Sequence, residues 1–143
     1  MRRRAVLCGI GVLAAGGLSS AQAQTPIADE TARNLATVKR LFAEVYNDAN
    51  LEHVDQIISP DYVPSDPDLA PGIDAYRARQ ETSIADFAEA YTSYTFVIDD
   101  MIARDNVVAA RYTFTAARPD GTQKKSQLSA WYELRDGLIT TWV

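Results

Sequence analysis

Two runs near the end of the chain decide the fold: VVAARYTFTAA at residues 107–117 and KKSQLSAWYEL at residues 124–134. Apolar and polar residues alternate in both, as in a β-strand with one face on a core and the other in water. The apolar faces carry Val108, Ala110, Tyr112 and Phe114 in the first run and Leu128, Ala130, Tyr132 and Leu134 in the second. Pro119-Asp120-Gly121 lies between the runs and predicts a turn that makes them an antiparallel hairpin.

Two further strands are predicted beside this pair. Residues 94–99 alternate in the same way, and the chain then turns at Arg104-Asp105-Asn106, where Asp and Asn tolerate a left-handed backbone. Asp136-Gly137 predicts a last hairpin, after which a strand begins at Leu138. The region from residue 94 to residue 143 is therefore expected to form four antiparallel strands in chain order.

The first half of the chain is predicted to be helical. One stripe at helical spacing carries Leu35, Val38, Phe42, Val45 and Tyr46, and the polar segment 47–50 ends that helix. Residues 51–58 predict a short second helix that stops at Pro60, and residues 72–90 predict a third. The segment between them, residues 60–71, holds four prolines and three aspartates and indicates a rigid surface loop.

Helices followed by antiparallel strands indicate an α+β fold with one layer of each kind. We expect the three N-terminal helices to cover the concave face of a single curved sheet. A curved sheet covered in this way encloses a cavity between the helices and the strands.

The N-terminus has the three parts of a secretory signal peptide. Arg2, Arg3 and Arg4 form a basic start, residues 5–18 form an apolar run, and Ala21-Gln22-Ala23 provides a cleavage signal with small residues. The apolar run is shorter than the roughly 20 residues of a membrane-spanning helix. The sequence therefore predicts cleavage after Ala23, no membrane insertion of the mature chain, and a periplasmic or secreted location.

The composition of the mature chain argues against several functional classes. The single cysteine, Cys8, leaves with the signal peptide, so neither disulfides nor thiol chemistry is expected. Three of the 14 basic residues leave as well, and the remaining 11 against 19 acidic residues give a net charge of −8. This charge argues against nucleic acid as a partner. With His53 as the only histidine and no glycine-rich phosphate loop, we expect no metal and no cofactor.

Three segments resemble the SnoaL-like branch of the nuclear transport factor 2-like superfamily: FVIDDMIA at 96–103, VVAARY at 107–112, and YELRDGLI at 132–139, followed by Trp142. The resemblance divides the chain into a signal peptide (1–23), a linker and helix start (24–33) and a SnoaL-like domain (34–143). It implies a cone-shaped α+β fold with an apolar pocket and, in many members, a homodimer packed through the outer sheet face. Members include polyketide cyclases, ketosteroid isomerases, dehydratases, hydrolases and binding domains, so the fold alone does not decide the function.

The resemblance also suggests a general base. Asp66-Pro67 matches the aspartate before a proline that serves as the base of ketosteroid isomerases. An apolar pocket raises the pKa of a carboxylate towards neutrality, which would suit proton abstraction beside a carbonyl group. The other interpretation is that Asp66 caps a turn in this loop rich in aspartate and proline.

The other catalytic positions of these families carry residues that cannot do that chemistry. The hydrogen-bond donors of the isomerases correspond to Leu41 and Ala130. The histidine and aspartate positions of the cyclases correspond to Ser65, Thr141 and Val143. Isomerase or cyclase catalysis would therefore need hydrogen-bond donors from other residues, such as a tyrosine on another side of the pocket.

We accordingly expect an exported domain that binds a small apolar or ring-shaped molecule in an internal pocket. The expected lining consists of Phe42, Tyr46, Tyr62, Phe87, Tyr112, Phe114 and Tyr132. The alternative is an enzyme of the isomerase, cyclase or dehydratase type that uses Asp66 as general base. A third hypothesis is a dimerisation module without a ligand. Trp131 is expected on the outer face of the sheet, where an exposed indole predicts a homodimer.

Overall fold

A computed structural model describes residues 26–143. The predicted signal peptide, residues 1–23, and its cleavage site lie outside the described residues. The first helix, α1, runs from Pro26 to Arg40 and so begins inside the segment predicted as linker and helix start. No helix among residues 26–143 is both long and apolar enough to span a membrane.

The helix continues beyond α1 in a wider, π-helical form from Leu41 to Asn47. The backbone N–H of Asp48 donates to the carbonyl oxygen of Ala43, five residues earlier, at 3.0 Å. This segment turns Leu41, Phe42 and Val45 into the core, where all three are buried. The predicted end of the helix at the polar segment 47–50 is confirmed, since the π-helical segment ends at Asn47.

The second predicted helix does not form. Within residues 51–58 only Val54–Gln56 makes a 3₁₀ turn. The cause is a contact distant in sequence: Ile139 N–H donates to the Ile57 carbonyl and Ser59 N–H donates to the Ile139 carbonyl, both at 2.8 Å. Because the last strand binds these backbone groups, they cannot continue a helix. The expectation of three helices is thus not confirmed.

The helix predicted over residues 72–90 is present as α2, from Ile73 to Ala90. Two side-chain contacts fix its start: the Arg77 guanidinium donates to the Leu51 carbonyl at 2.7 Å, and that of Arg79 donates to the Ala70 carbonyl at 2.8 Å. Tyr76 is the buried residue of this helix. The Arg79 contact holds the proline-rich loop to α2, and the Arg77 contact joins α2 to residue 51.

The sheet contains β1 (Ser93–Arg104), β2 (Val107–Ala117), β3 (Gln123–Arg135) and β4 (Leu138–Trp142). The strands pair antiparallel in the order β1-β2-β3-β4, which confirms the α+β class and the predicted strand order. Register shifts interrupt the pairing between Ile98 and Asp100 and between Glu133 and Leu134. Such bulges bend a strand and increase its twist, which gives the sheet its curvature.

The core lies between the helices and the inner face of the sheet. The alternation predicted for β2 is confirmed, since Val108, Ala110, Tyr112 and Phe114 are buried. On β3 it holds for Ala130, Tyr132 and Leu134, but Leu128, which the alternation places on the same apolar face, is 42% exposed. Alternation determines the face of the sheet and not how much of that face is covered. The isomerase-related positions Leu41 and Ala130 belong to this core, where both are almost fully buried. Neither has a side-chain group that could donate a hydrogen bond.

Candidate ligand-binding cavity

A cavity of about 210 Å³ lies between α2, the π-helical segment and the inner face of the sheet. Its lining consists of Val45, Tyr46, Gln80, Ser83, Ile84, Phe87, Tyr94, Phe96, Tyr112 and Trp142. Six of these ten residues are aromatic and none is charged. Aromatic walls with a few polar groups are typical of sites for small apolar molecules.

The secondary structure explains why these side chains meet. Gln80, Ser83 and Phe87 lie at spacings of three and four residues, so they share one face of α2. Trp142 on β4 is paired with Tyr132 on β3, whose side chain points into the core. Because paired residues point to the same face of a sheet, Trp142 also faces the cavity. It remains 43% exposed and therefore lies where the cavity meets solvent.

Packed rings form most of the cavity wall. Phe87 contacts Tyr94 and Phe96, with ring centroids 5.1 and 5.9 Å apart. Phe96 also lies 5.5 Å from the ring of Tyr46 and 6.2 Å from that of Tyr112. These spacings are those of favourable aromatic pairs, so the wall is held in place by its own contacts.

A cluster of tyrosine hydroxyls lies where the cavity wall meets the core. Tyr46 lines the cavity, and the buried Tyr132 and Tyr76 lie close enough to influence its pKa. We call these three residues the tyrosine cluster. Burial is the largest cause that raises the pKa of each member above the ordinary value of a phenol. At neutral pH the cluster is therefore protonated, and its hydroxyls can donate hydrogen bonds but cannot act as bases.

One hydroxyl of the cluster lacks a partner. Tyr76 is 3% exposed, and its hydroxyl oxygen has no hydrogen bond within the described part of the chain. The Tyr46 hydroxyl is close enough to raise the pKa of Tyr76 further, but the pair does not reach hydrogen-bonding geometry. An unpaired buried hydroxyl is rare in native proteins.

The seven predicted pocket residues divide into two groups. Tyr46, Phe87 and Tyr112 line the cavity. The other four, Phe42, Tyr62, Phe114 and Tyr132, are buried behind its wall. For example, the Phe42 ring packs against those of Tyr46 and Tyr112 at 5.1 and 4.9 Å. The second group supports the wall through the core.

Asp66 lies outside this cavity. Its side chain is exposed on the loop before α2, and its Oδ1 accepts a hydrogen bond from the Asp68 backbone N–H at 3.0 Å. This bond to a residue two positions later is the Asx turn typical of aspartate in loops. The geometry agrees with the turn-capping interpretation. The exposed Asp66 side chain therefore does not lie in the apolar pocket.

Several lining residues were not named from the sequence. Tyr94 and Phe96 alternate in the predicted first strand, and Gln80 and Ser83 fall on the same helical face as Tyr76. These periodic signals could have identified all four. Trp142 needed the register of β4 against β3, which shifts between Glu133 and Leu134 and which the sequence does not give.

The described residues contain no group of three or more His, Cys, Asp or Glu side chains arranged to hold a metal. His53 is exposed, and its Nδ1 lies 3.9 Å from a carboxylate oxygen of Glu44. Neither residue lines the cavity, whose lining holds no ionisable group besides its tyrosines. The lining itself offers hydrogen-bonding groups and apolar contact surface.

Residues 38–142 match the family described as SnoaL-like domain. The chain belongs to the SnoaL-like family. The match covers the end of α1, all of α2 and the entire sheet, and it confirms the resemblance seen in the sequence. No curated protein sequence matches the chain.

Solved structures share the fold of this SnoaL-like domain. TsrD from Streptomyces laurentii is 21% identical, with a TM-score of 0.66 over 78% of this chain and 86% of that one. A proposed SnoaL-like polyketide cyclase from Jannaschia sp. CCS1 is 20% identical, with a TM-score of 0.63 over 85% of this chain and 88% of that one. An NTF2-like protein of unknown function from Burkholderia pseudomallei K96243 is 17% identical, with a TM-score of 0.60 over 77% and 87%. At these identities the likeness shows the fold alone.

Proposed function

We propose that this SnoaL-like domain binds a small apolar, ring-shaped molecule in the cavity between α2 and the sheet. The observation that carries the proposal is the lining, which has six aromatic residues and no charged one. Burial of apolar ligand surface contributes roughly 25 cal/mol per Å², and planar rings gain additional contact with aromatic walls. A flat molecule of one or two fused rings fits these properties best.

Binding is favoured over proton-transfer catalysis because of what the lining offers. An isomerase or cyclase needs an acid and a base within hydrogen-bond reach of the substrate. The cavity presents tyrosine hydroxyls, an amide and a hydroxyl, whereas Asp66 lies on the exposed loop. The proposed polyketide cyclase among the similar structures keeps the enzymatic alternative worth testing.

The binding test uses Trp142 as reporter. The chain has two tryptophans, so Trp131→Phe leaves Trp142 as the single indole. We expect tetralin, a two-ring hydrocarbon, to change the fluorescence of Trp142 saturably in this background. The variant Ser83→Phe fills the cavity from α2 and should abolish the change.

The matched control is Ala85→Phe, which adds the same ring to an exposed position of the same helix. It should bind tetralin as the parent does. Circular dichroism in the near ultraviolet establishes that each variant keeps its aromatic packing. If tetralin leaves the fluorescence of the parent unchanged, or if Ser83→Phe binds as well as the parent, the cavity is not the binding site.

We further propose that the domain acts outside the cytoplasm, on the strength of its basic, apolar and small-residue N-terminal segments. Mass spectrometry of protein from a periplasmic or culture fraction should find Gln24 as the first residue. Full-length protein confined to the cytoplasm would contradict export.

A further inference from the structure

The cavity has electron-rich walls and no positive charge in its lining. None of its ten lining residues is charged, and six carry aromatic rings, whose faces attract cations and repel anions. Two rings behind the wall already have a cation beside them: Arg79 lies 5.8 Å from the ring centre of Tyr62, and Lys124 lies 5.6 Å from that of Phe114. The rings of the lining have no such partner within it, so they are open to a cation from a ligand.

The helix beside the cavity adds negative charge. From residue 80 to its end, α2 carries Glu81, Asp86 and Glu89 and no basic residue, and all three acidic side chains are exposed. The carboxyl end of a helix also has a partial negative charge, and the last turn of α2 contains Phe87 of the lining. Both the rings and the helix therefore favour a positive charge in the cavity over a negative one.

Trp142 provides a ring face that no other ring covers. The other five aromatic residues of the lining pack against one another, as Tyr46 does with Phe96 and Phe87 does with Tyr94. Trp142 belongs to no ring pair among residues 26–143 and is partly exposed where the cavity meets solvent. Because tryptophan binds cations more strongly than the other aromatic side chains do, its indole is the best surface in the lining for a positively charged ring.

We propose that the ligand of the cavity is a planar organic cation, with its positive charge spread over its rings, that stacks on Trp142. The inference deepens the proposed function and rests on it, since the same cavity must admit a ring-shaped molecule. A compact ammonium ion fits less well, because it is strongly hydrated and the lining has no carboxylate to replace its water. A delocalised cation is more weakly hydrated, and its apolar ring faces pack against the aromatic wall.

The experiment compares N-methylquinolinium with 1-methylnaphthalene, which has the same two rings and methyl group but no charge. Equilibrium dialysis at low salt measures both affinities. We expect the wild-type protein to bind the cation more tightly than its neutral counterpart, although water solvates the cation better. Trp142→Leu keeps an apolar side chain and removes the ring, so it should weaken cation binding about tenfold more than it weakens binding of 1-methylnaphthalene.

Trp131→Leu is the matched control, because Trp131 is the other tryptophan of the chain and does not line the cavity. It should bind both ligands as the wild type does. Near-ultraviolet circular dichroism establishes that each variant keeps its aromatic packing.

A second variant tests the charges of α2 and leaves the cavity wall unchanged. Glu81→Gln combined with Asp86→Asn should weaken cation binding about threefold at low salt and leave 1-methylnaphthalene unaffected. This difference should shrink as salt screens the exposed carboxylates. Asp29→Asn combined with Glu30→Gln removes two exposed charges from α1, which contributes nothing to the lining, and should change neither affinity.

The possible results separate the two proposals. Weaker binding of the cation than of 1-methylnaphthalene, or equal weakening of both by Trp142→Leu, would overturn the inference. If Trp142→Leu loses its aromatic packing, the α2 double variant decides, and an unchanged affinity for the cation would overturn the inference as well. Binding of 1-methylnaphthalene alone would leave the proposed function standing, whereas binding of neither ligand would end both.

Discussion

At the scale of single residues, the surroundings of Asp66 decide its chemistry. The side chain is exposed and accepts a bond from the Asp68 backbone, and an asparagine Oδ1 can accept the same bond. We therefore expect Asp66→Asn to leave tetralin affinity unchanged and to alter the free energy of unfolding by less than about 0.5 kcal/mol. Fluorescence titration and urea denaturation measure the two quantities.

An isomerisation assay on an unsaturated cyclic ketone completes that test. Wild type and Asp66→Asn should show the same low turnover, because the family positions at Leu41 and Ala130 provide no donors. Turnover in wild type that disappears in Asp66→Asn would restore the role of Asp66 as general base. Asp68→Asn, two residues later in the same loop, is the control for the loss of a nearby charge.

Residue periodicity predicts which face a side chain takes but not how deep it lies. Tyr112 and Phe114 were placed on the same inner face of β2, and both are buried there. Only Tyr112 reaches the cavity, because Phe114 is covered by rings such as that of Phe96, 4.9 Å away. Depth depends on neighbours that are distant in sequence, so the sequence could predict an aromatic pocket but not its full lining.

At the scale of elements, the turns of the sheet make a quantitative prediction. Gly137 has a φ of +80°, and a Cβ there would lie 2.9 Å from Arg33 Cδ. Gly121 has a φ of +85° with nothing within 4 Å of a Cβ. We expect Gly121→Ala to cost about 1 kcal/mol through backbone strain alone, and Gly137→Ala to cost more because it adds the contact with Arg33.

Urea denaturation of the two variants separates the contributions. Their difference in unfolding free energy measures the contact between the β3–β4 turn and α1, since the backbone term is common to both. Arg33→Ala should reduce the extra cost in the Gly137→Ala background. Equal destabilisation by the two glycine variants would show that the arginine moves away freely.

The turns and strands could be predicted because their signals are local. Asp136-Gly137 carries the two positive φ values that a tight hairpin needs, and the alternation in β2 spans the whole strand. The short helix predicted over residues 51–58 does not form, because a contact distant in sequence determines its backbone conformation. Its apolar pattern is satisfied by burial of Val54, Ile57 and Ile58, but the pairing of Ile58 with Ile139 decides the backbone conformation.

At the scale of the whole molecule, the buried tyrosines predict a dependence of stability on pH. Burial raises the pKa of Tyr46, Tyr76 and Tyr132 above the value of about 10 in an unfolded chain. Their contribution to stability is therefore complete below pH about 10 and is lost as the pH rises beyond it. Each phenol that stays protonated in the fold and ionises on unfolding lowers the unfolding free energy by up to about 1.4 kcal/mol per pH unit.

Urea denaturation between pH 8 and 11, as test conditions, should thus show falling stability above pH about 10. Tyr132→Phe removes one of these groups and should make the fall less steep, whereas Tyr91→Phe, which is only half-buried, should not. If the unfolding free energy of wild type, Tyr132→Phe and Tyr91→Phe falls equally steeply with pH, groups other than Tyr132 cause the fall.

The outer face of the sheet predicts the assembly of the molecule. Ile102, Ala109 and Trp131 are successive partners across β1, β2 and β3, and the backbone of Trp131 pairs in both directions with that of Val143. The three large residues of this row are exposed: Ile102 to 69%, Trp131 to 60% and Val143 to 66%. A row of exposed apolar residues on one face is typical of an interface, so we expect two copies to pack through it as a homodimer.

Sedimentation equilibrium at micromolar concentration should give twice the mass of the mature chain. Trp131→Glu places a carboxylate in the centre of the row and should yield monomers, because a buried charge without a partner destabilises an interface. Gln123→Glu adds the same charge to the same face of β3, eight residues away and about 26 Å along the strand, and should remain dimeric. A monomeric wild type, or a Trp131→Glu variant that stays dimeric, would show that this row does not form the contact.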